Sequence, residues 1–449
     1  MKKTDVLVIG GSAAGLVSAM TAKSCNPQKE VVLVRKEESV MIPCGIPYIF
    51  ESIDESKKNI LPDGGLNKLG VEIVIDEITS IDKDKKVCQT KNGQTISYEK
   101  LIIATGSNPI QPLWLKGNDL ANVFVIPKNK VYLDMLQKKL ERCKKIITIG
   151  AGFIGIEVSD ELNKAGKDVT LVEILPKVLG SAFDDEFATE AEECLISRGV
   201  KLKTGVGVKE IYGETKVEGV ILNNGEKLEA DAVILTLGYS PNTNLAKEAG
   251  LGTNKFGFIK VDQYGRTETD DIFAAGDCSE KKDFSTGKTS TIMLASTACA
   301  EARVAALNLY KLSTVNTFRG TIGIYSTNIG NTSFGVAGLT EEVAKKEGFD
   351  VVVGSFTGID RHPGCLKDAH KQTVKLIASR ENGVILGGEA LGGVSIGELT
   401  NAIGFIIQNS MTVNDLLVSQ IGTQPMLTAS PAGYPLIKAA EILSVKIKT

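Results

Sequence analysis

A chain of 449 residues is too long for a single hydrophobic core and implies two or three domains. Its 51 basic and 54 acidic residues leave a net charge of −3, which excludes the broad positive field that nucleic acid or an anionic membrane surface would require. Eight scattered cysteines without CxxC spacing argue against zinc sites, thioredoxin-type motifs and a disulfide scaffold, so no metal is expected.

The opening Met1-Lys2-Lys3 does not begin a signal peptide, because Asp5 and then Gly10, Gly11 and Gly15 interrupt the apolar stretch. Residues 4–9 read as a first strand. It leads into Gly10-Gly11-Ser12-Ala13-Ala14-Gly15, a helical run of small and apolar residues, and a second strand, VVLV at 31–34. Next comes Met41-Ile42-Pro43-Cys44-Gly45-Ile46-Pro47-Tyr48, with Cys44 at the entrance of a helix predicted to begin near Pro47. A thiol there would gain from unpaired amides and the helix dipole, which would lower its pKa and make it a nucleophile. The alternative is a cysteine that only packs. Leu101–Gly106 forms another strand ending in a turn of small residues.

The opening pattern then returns 140 residues later, a duplication of one unit. The strand at 145–150 leads into Gly150-Ala151-Gly152-Phe153-Ile154-Gly155, and VTLV at 169–172 ends at Glu173. Glycines at these spacings permit a tight turn and close approach of the backbone, while the following helix N-terminus faces a pyrophosphate. One such loop alone could be a plain strand-to-helix turn; two in matching contexts point to two dinucleotides. Glu173 can accept both ribose hydroxyls of NADH and would repel the 2′-phosphate of NADPH, unless it is only a solvated strand-end carboxylate. Thr269–Asp277 is a third signal, an apolar strand ending in Gly276-Asp277 ahead of a small-residue helix at 291–309. No run reaches the 18 apolar residues of a spanning helix, so a soluble, cytoplasmic protein with small-molecule partners is expected.

The order of glycine loop, Cys44 segment, Ala104-Thr105-Gly106 turn, second glycine loop and late Gly-Asp resembles the pyridine nucleotide-disulfide oxidoreductase family over about residues 1–310. That resemblance implies an α/β fold with two Rossmann-like dinucleotide-binding domains and a C-terminal α+β dimerisation domain. It places a discontinuous FAD domain at 1–112 and 247–320, an NAD(H) domain at 113–246, and the homodimer interface at 321–449. By the same resemblance Gly10, Ser12, Ala13, Ala14, Gly15, Thr105 and Gly106 would bind FAD, and Asp277 would hold its ribityl chain unless it is merely a turn or cap aspartate. Gly150, Gly152, Phe153, Ile154, Gly155, Glu157, Glu173 and Gly238 would bind NADH, with Phe153 covering the nicotinamide pocket until NADH arrives. One departure is Arg35, where an acidic residue usually holds the adenosine ribose. Alone it would suggest NADP at the first site; with Gly-Asp favouring FAD there, it can stack on adenine.

Cys44 is similar to the cysteine of the single-cysteine branch, which includes coenzyme A-disulfide reductases, persulfide reductases, NADH oxidases and peroxidases. The paired-cysteine branch would carry a second thiol at position 49, which is Ile49. Ala13 stands where many peroxide-cleaving relatives carry a histidine, which favours a sulfur substrate. Tyr434 is a candidate proton donor toward the partner subunit, or simply an interface tyrosine. The expected function is electron transfer from NADH through flavin and Cys44 to a disulfide or polysulfide. The alternatives are an NADH oxidase reducing O2 and, more distantly, a redox-sensing flavoprotein.

Overall fold

The computed structural model describes residues 1–448, which build three principal sheets. In the first, the parallel strands run in the order Glu72–Ile75, Val31–Arg35, Lys2–Ile9, Thr95–Ile103, Ile272–Ala274. The strand Val31–Arg35 is buried at every position, as its β-branched run requires in a parallel sheet covered on both faces. Helix Ala13–Cys25 buries Ala14, Gly15, Ser18, Ala19 and Ala22, and helix Ala295–Leu307 buries Ala298, Ala302, Ala305 and Ala306. These small side chains let the two helices pack closely against each other, which draws the late Gly-Asp turn up to the first glycine loop.

The second sheet is wholly parallel, in the order Lys201–Lys203, Asp168–Val172, Lys145–Ile149, Ala232–Leu235, Val123–Val125. Its chain segment is inserted between Thr95–Ile103 and Ile272–Ala274 of the first sheet. The two units are stitched by a short antiparallel pair, Ser107–Pro109 with Tyr239–Pro241.

The third sheet is antiparallel, in the order Ile324–Ile329, Thr332–Gly338, Ile385–Gly392, Lys371–Ser379, Val351–Ile359. Helices Ile396–Gln408 and Pro435–Lys448 pack on it and share one hydrophobic cluster. A buried ion network seats this unit against the second: Lys375 lies 2.7 Å from Asp184, 2.5 Å from Glu186 and 3.5 Å from Glu389. Burial, then the charge of Asp184, pushes the Glu389 carboxyl up to about 9. With Glu341 at 3.4 Å, four carboxylates surround one ammonium group, so this acidic cluster is an ion network. No helix among the described residues is long and apolar enough to cross a membrane.

Candidate active site

A cavity of about 640 Å³ lies where the three units meet. From the first unit it is lined by Ser12, Ala13, Ala14, Cys44, Gly106 and Asp277, and from the second by Gly152, Phe153, Ile154, Glu157 and Gly238. The two glycine loops begin 140 residues apart in the chain, yet residues of both line this one space together with Cys44.

Both loops are shaped by glycines behind the cavity wall. Gly10 has φ +112°, and a Cβ there would stand 2.2 Å from the Ala104 carbonyl oxygen; Gly15 would meet the Gly10 oxygen at 1.8 Å. In the second loop Gly150 has φ +102° and a Cβ would stand 2.7 Å from the Thr236 oxygen, while Gly155 would meet the Gly150 oxygen at 1.9 Å. The helices that follow, Ala13–Cys25 and Phe153–Lys164, both begin without a side-chain cap, so their first amide donors stay open to an anion. Uncapped donors at both helix starts, beside walls of Ser12, Ala13, Ala14, Ala104, Gly106 and Ala298, suit two pyrophosphates and a flat ring.

Asp277 follows Gly276, whose φ is +86°. Its carboxylate accepts hydrogen bonds of 2.7 Å from Ser107 Oγ and 2.7 Å from Lys128 Nζ. Burial works to raise its pKa, but the Lys128 charge and these hydrogen bonds outweigh it and hold the carboxyl below the usual range. Lys128 was not anticipated from sequence. It sits in a loop without a motif, and only the junction of the two units brings it over Tyr239 and against Asp277.

Glu157 is half-buried on the wall formed by helix Phe153–Lys164 and accepts a 2.8 Å hydrogen bond from Thr327 Oγ1 of the third sheet. Burial raises its carboxyl to about 7, against the hydrogen bonds from Thr327 and Tyr48. Phe153 stacks on Tyr325, with ring centroids 4.8 Å apart and planes 10° from parallel, and both rings line the cavity.

Two expectations for Cys44 change. The helix predicted from Pro47 is only a 3-10 turn, Pro47–Phe50, preceded by another, Pro43–Gly45, so no sizeable helix dipole points at the sulfur. The thiol pKa is accordingly raised, not lowered: burial of the sulfur comes first, then the charge of Glu157, with Lys128 acting the other way. Solvent still reaches Cys44 from the cavity.

Other predicted residues lie outside the lining. Thr105 donates its hydroxyl to the Asn242 carbonyl at 2.6 Å. Arg35 is buried, with its guanidinium 2.5 and 2.7 Å from the two Asp63 oxygens and further bonds to the carbonyls of Glu37 and Glu38. Its edges are thus committed and only a flat face is left to offer a ring. Glu173 accepts from the Ala151 amide at 2.6 Å and the Leu175 amide at 2.8 Å, so it braces the second glycine loop directly. Tyr434 packs against the core of the third unit and does not reach this chain's cavity.

Comparison with known proteins returns one family over most of the chain. Residues 4–302 match the pyridine nucleotide-disulphide oxidoreductase description, and residues 324–432 match the dimerisation domain of the same family. An NADH oxidase of Methanocaldococcus jannaschii is 30% identical over 97% of this chain and 97% of its own length. An NAD(P)H sulfur oxidoreductase (CoA-dependent) of Pyrococcus furiosus is 30% identical over 99% of this chain and 100% of its own. Among solved structures, a NAD-dependent persulfide reductase from A. fulgidus superposes with a TM-score of 0.90 at 26% identity, covering 99% of this chain and 84% of that one.

Proposed function

Because the chain belongs to the pyridine nucleotide-disulphide oxidoreductase family, an FAD-dependent group of enzymes, we propose that it carries electrons from NADH through flavin and Cys44 to a disulfide, persulfide or polysulfide. The observation that carries this reading is that Cys44 and two uncapped helix starts line one cavity. Bound FAD would supply the hydride acceptor and the two-electron relay to sulfur. The domain limits 1–112 with 247–320, 113–246 and 321–449 belong to the same reading, as do a homodimer formed through the last unit and work in the cytoplasm.

The chain's own residues divide the labour. Amides at Ser12, Ala13 and Ala14 would hold the FAD pyrophosphate, and Asp277 would accept hydrogen bonds from the ribityl hydroxyls while Lys128 keeps it ionised. Amides at Gly152, Phe153 and Ile154 would take the NADH pyrophosphate, and Glu173 would set the preference for NADH over NADPH. The Phe153–Tyr325 pair would shield the nicotinamide position from water until NADH displaces it. Cys44 would attack the sulfur substrate and form the mixed disulfide or persulfide.

A second reading, reduction of O2 by an NADH oxidase, is supported by the relative of that name in Methanocaldococcus jannaschii. NADH consumption under strict anaerobiosis with coenzyme A disulfide or polysulfide, beside an aerobic sample with neither, separates the two. Turnover without air is expected, and Cys44→Ser should lower it by at least about 10³-fold while NADH still bleaches the flavin. Consumption seen only in air would replace the sulfur reading with the oxidase.

A further inference from the structure

Glu301 and Lys281 lie outside the cavity lining and are buried, with only 8% and 1% of their side-chain surface exposed. Their charged groups stand 3.8 Å apart, and Glu301 Oε1 has no hydrogen-bond partner. Removing two charges from water is costly, and an ion pair without a direct hydrogen bond recovers little of that cost. What the two side chains hold is therefore the better guide to their role.

They hold one turn. Gly276, Asp277, Cys278 and Ser279 form a turn closed by the Ser279 amide, which donates to the Gly276 carbonyl at 3.0 Å. Glu301 Oε2 accepts from the Gly276 amide at 2.8 Å and from the Ser279 hydroxyl at 3.0 Å. Lys281 Nζ donates to the Gly276 carbonyl at 3.1 Å and to the Ser279 carbonyl at 2.8 Å. Both charged side chains thus grip the same two residues, the first and the last of the turn. Burial pushes the Glu301 carboxyl up to about 7 against the Lys281 charge, yet both of its donors meet Oε2, so these bonds persist with or without a proton on Oε1.

Of the four turn residues Asp277 alone lines the cavity, where Ser107 and Lys128 hold its carboxylate. The turn has no slack on its other side. Gly276 has φ +86°, and a Cβ there would stand 2.8 Å from the Ala14 Cβ and 3.4 Å from the Ala298 Cβ. Ala14 belongs to helix Ala13–Cys25, whose uncapped start lines the same cavity. Fixing the turn therefore fixes the Asp277 carboxylate relative to the first glycine loop.

We propose that Glu301 and Lys281 are positioning residues for the flavin: by gripping both ends of the Gly276–Ser279 turn, they aim the Asp277 carboxylate at the ribityl hydroxyls. This rests on the reading of Asp277 as the ribityl ligand and is independent of the electron acceptor.

The test follows FAD release from purified holoenzyme on dilution, read as recovery of flavin fluorescence. The variants are Lys281→Met combined with Glu301→Leu, Asp277→Ala, and all three substitutions together. Exchanging both charges for apolar side chains leaves no buried charge unpaired, so the double variant should keep the fold. It should release FAD about 10–100-fold faster and alter the visible circular dichroism of the bound flavin. Lys281→Met alone, in which the Glu301 carboxyl takes up a proton, is the milder variant and should change release in the same direction. Glu301→Gln keeps one acceptor oxygen and should stay close to the unaltered rate. Asp277→Ala should also speed release, and the triple variant should be no faster than Asp277→Ala, because the pair acts through that carboxylate. Unaltered release from both the double variant and Lys281→Met would overturn the inference, as would a double-variant effect that adds in full to that of Asp277→Ala, the mark of general packing. Asp277→Ala that holds FAD as long as the unaltered enzyme would instead overturn the ribityl reading, and the positioning role with it.

Discussion

The two glycine loops are nearly the same object in backbone and different objects in charge. Each has its first glycine at positive φ, +112° at Gly10 and +102° at Gly150, and each closes on itself so tightly that its last glycine has no room for a Cβ. Each is followed by an uncapped helix. The strand that ends beside the loop, however, presents Arg35 in one case and Glu173 in the other. Arg35 is neutralised within the fold by Asp63, whereas Glu173 spends its charge on the amides of Ala151 and Leu175. The two loops share one backbone geometry, and the strand-end charges differ because each side chain finds its own partner.

The largest expected effect comes from adding one methyl group to the first glycine of each loop. At Gly10 the substitution to Ala combines an unfavourable φ with a 2.2 Å clash against backbone, which should cost about 2–5 kcal/mol and empty the flavin site. Flavin absorbance of the purified protein reads this directly. Gly150→Ala meets the looser 2.7 Å contact and should keep its flavin while NADH no longer bleaches it. Equal flavin loss in both variants would break the assignment of one loop to each nucleotide.

Removing the partner of Arg35 is expected to cost less. Asp63→Asn leaves a buried guanidinium short of its countercharge, a loss of about 1–3 kcal/mol in urea unfolding after allowance for the partial exposure of Asp63. The pH dependence has a definite sign. Asp63 is held below its ordinary pKa, chiefly by the hydrogen bond from Arg35, so its contribution is full above the unfolded carboxylate pKa and is lost as pH falls through the lower folded value. The unaltered protein should therefore lose stability on acidification below about pH 4 by an increment that Asp63→Asn does not show.

The smallest effect belongs to Glu173→Gln, which keeps one acceptor for the Ala151 and Leu175 amides but gives up the charge. About 1–2 kcal/mol of stability and roughly tenfold of the NADH-over-NADPH preference in kcat/KM should go with it. An unchanged ratio would mean that Glu173 serves only to brace the loop.

Much of this architecture was legible because its signals are local. Glycine at fixed offsets, β-branched runs at 31–34 and 169–172, and the small residues after Asp277 each encode their own conformation within a dozen residues. The helix expected at Pro47 failed for a local reason as well: the segment bends away after one 3-10 turn at Phe50. Lys128 and Thr327 could not be singled out, since neither lies in a motif and each acquires a role only from a partner 149 or 170 residues away. Glu157 lies in the helix that follows the second glycine loop, but nothing in its neighbours along the chain indicates a carboxyl raised to about 7.

The sequence by itself determined the duplicated glycine loops, the lone cysteine of the Pro43–Tyr48 segment and the family, because backbone turns and their glycines are specified by residues close together in the chain. The ionisation of the site was decided only by the tertiary structure. The proton on Cys44, the charge on Asp277 and the near-neutral carboxyl of Glu157 depend on burial and on side chains contributed by three separate sheets. Electrostatic energy follows distance and water exclusion in space, and neither is written in the spacing of residues along the chain.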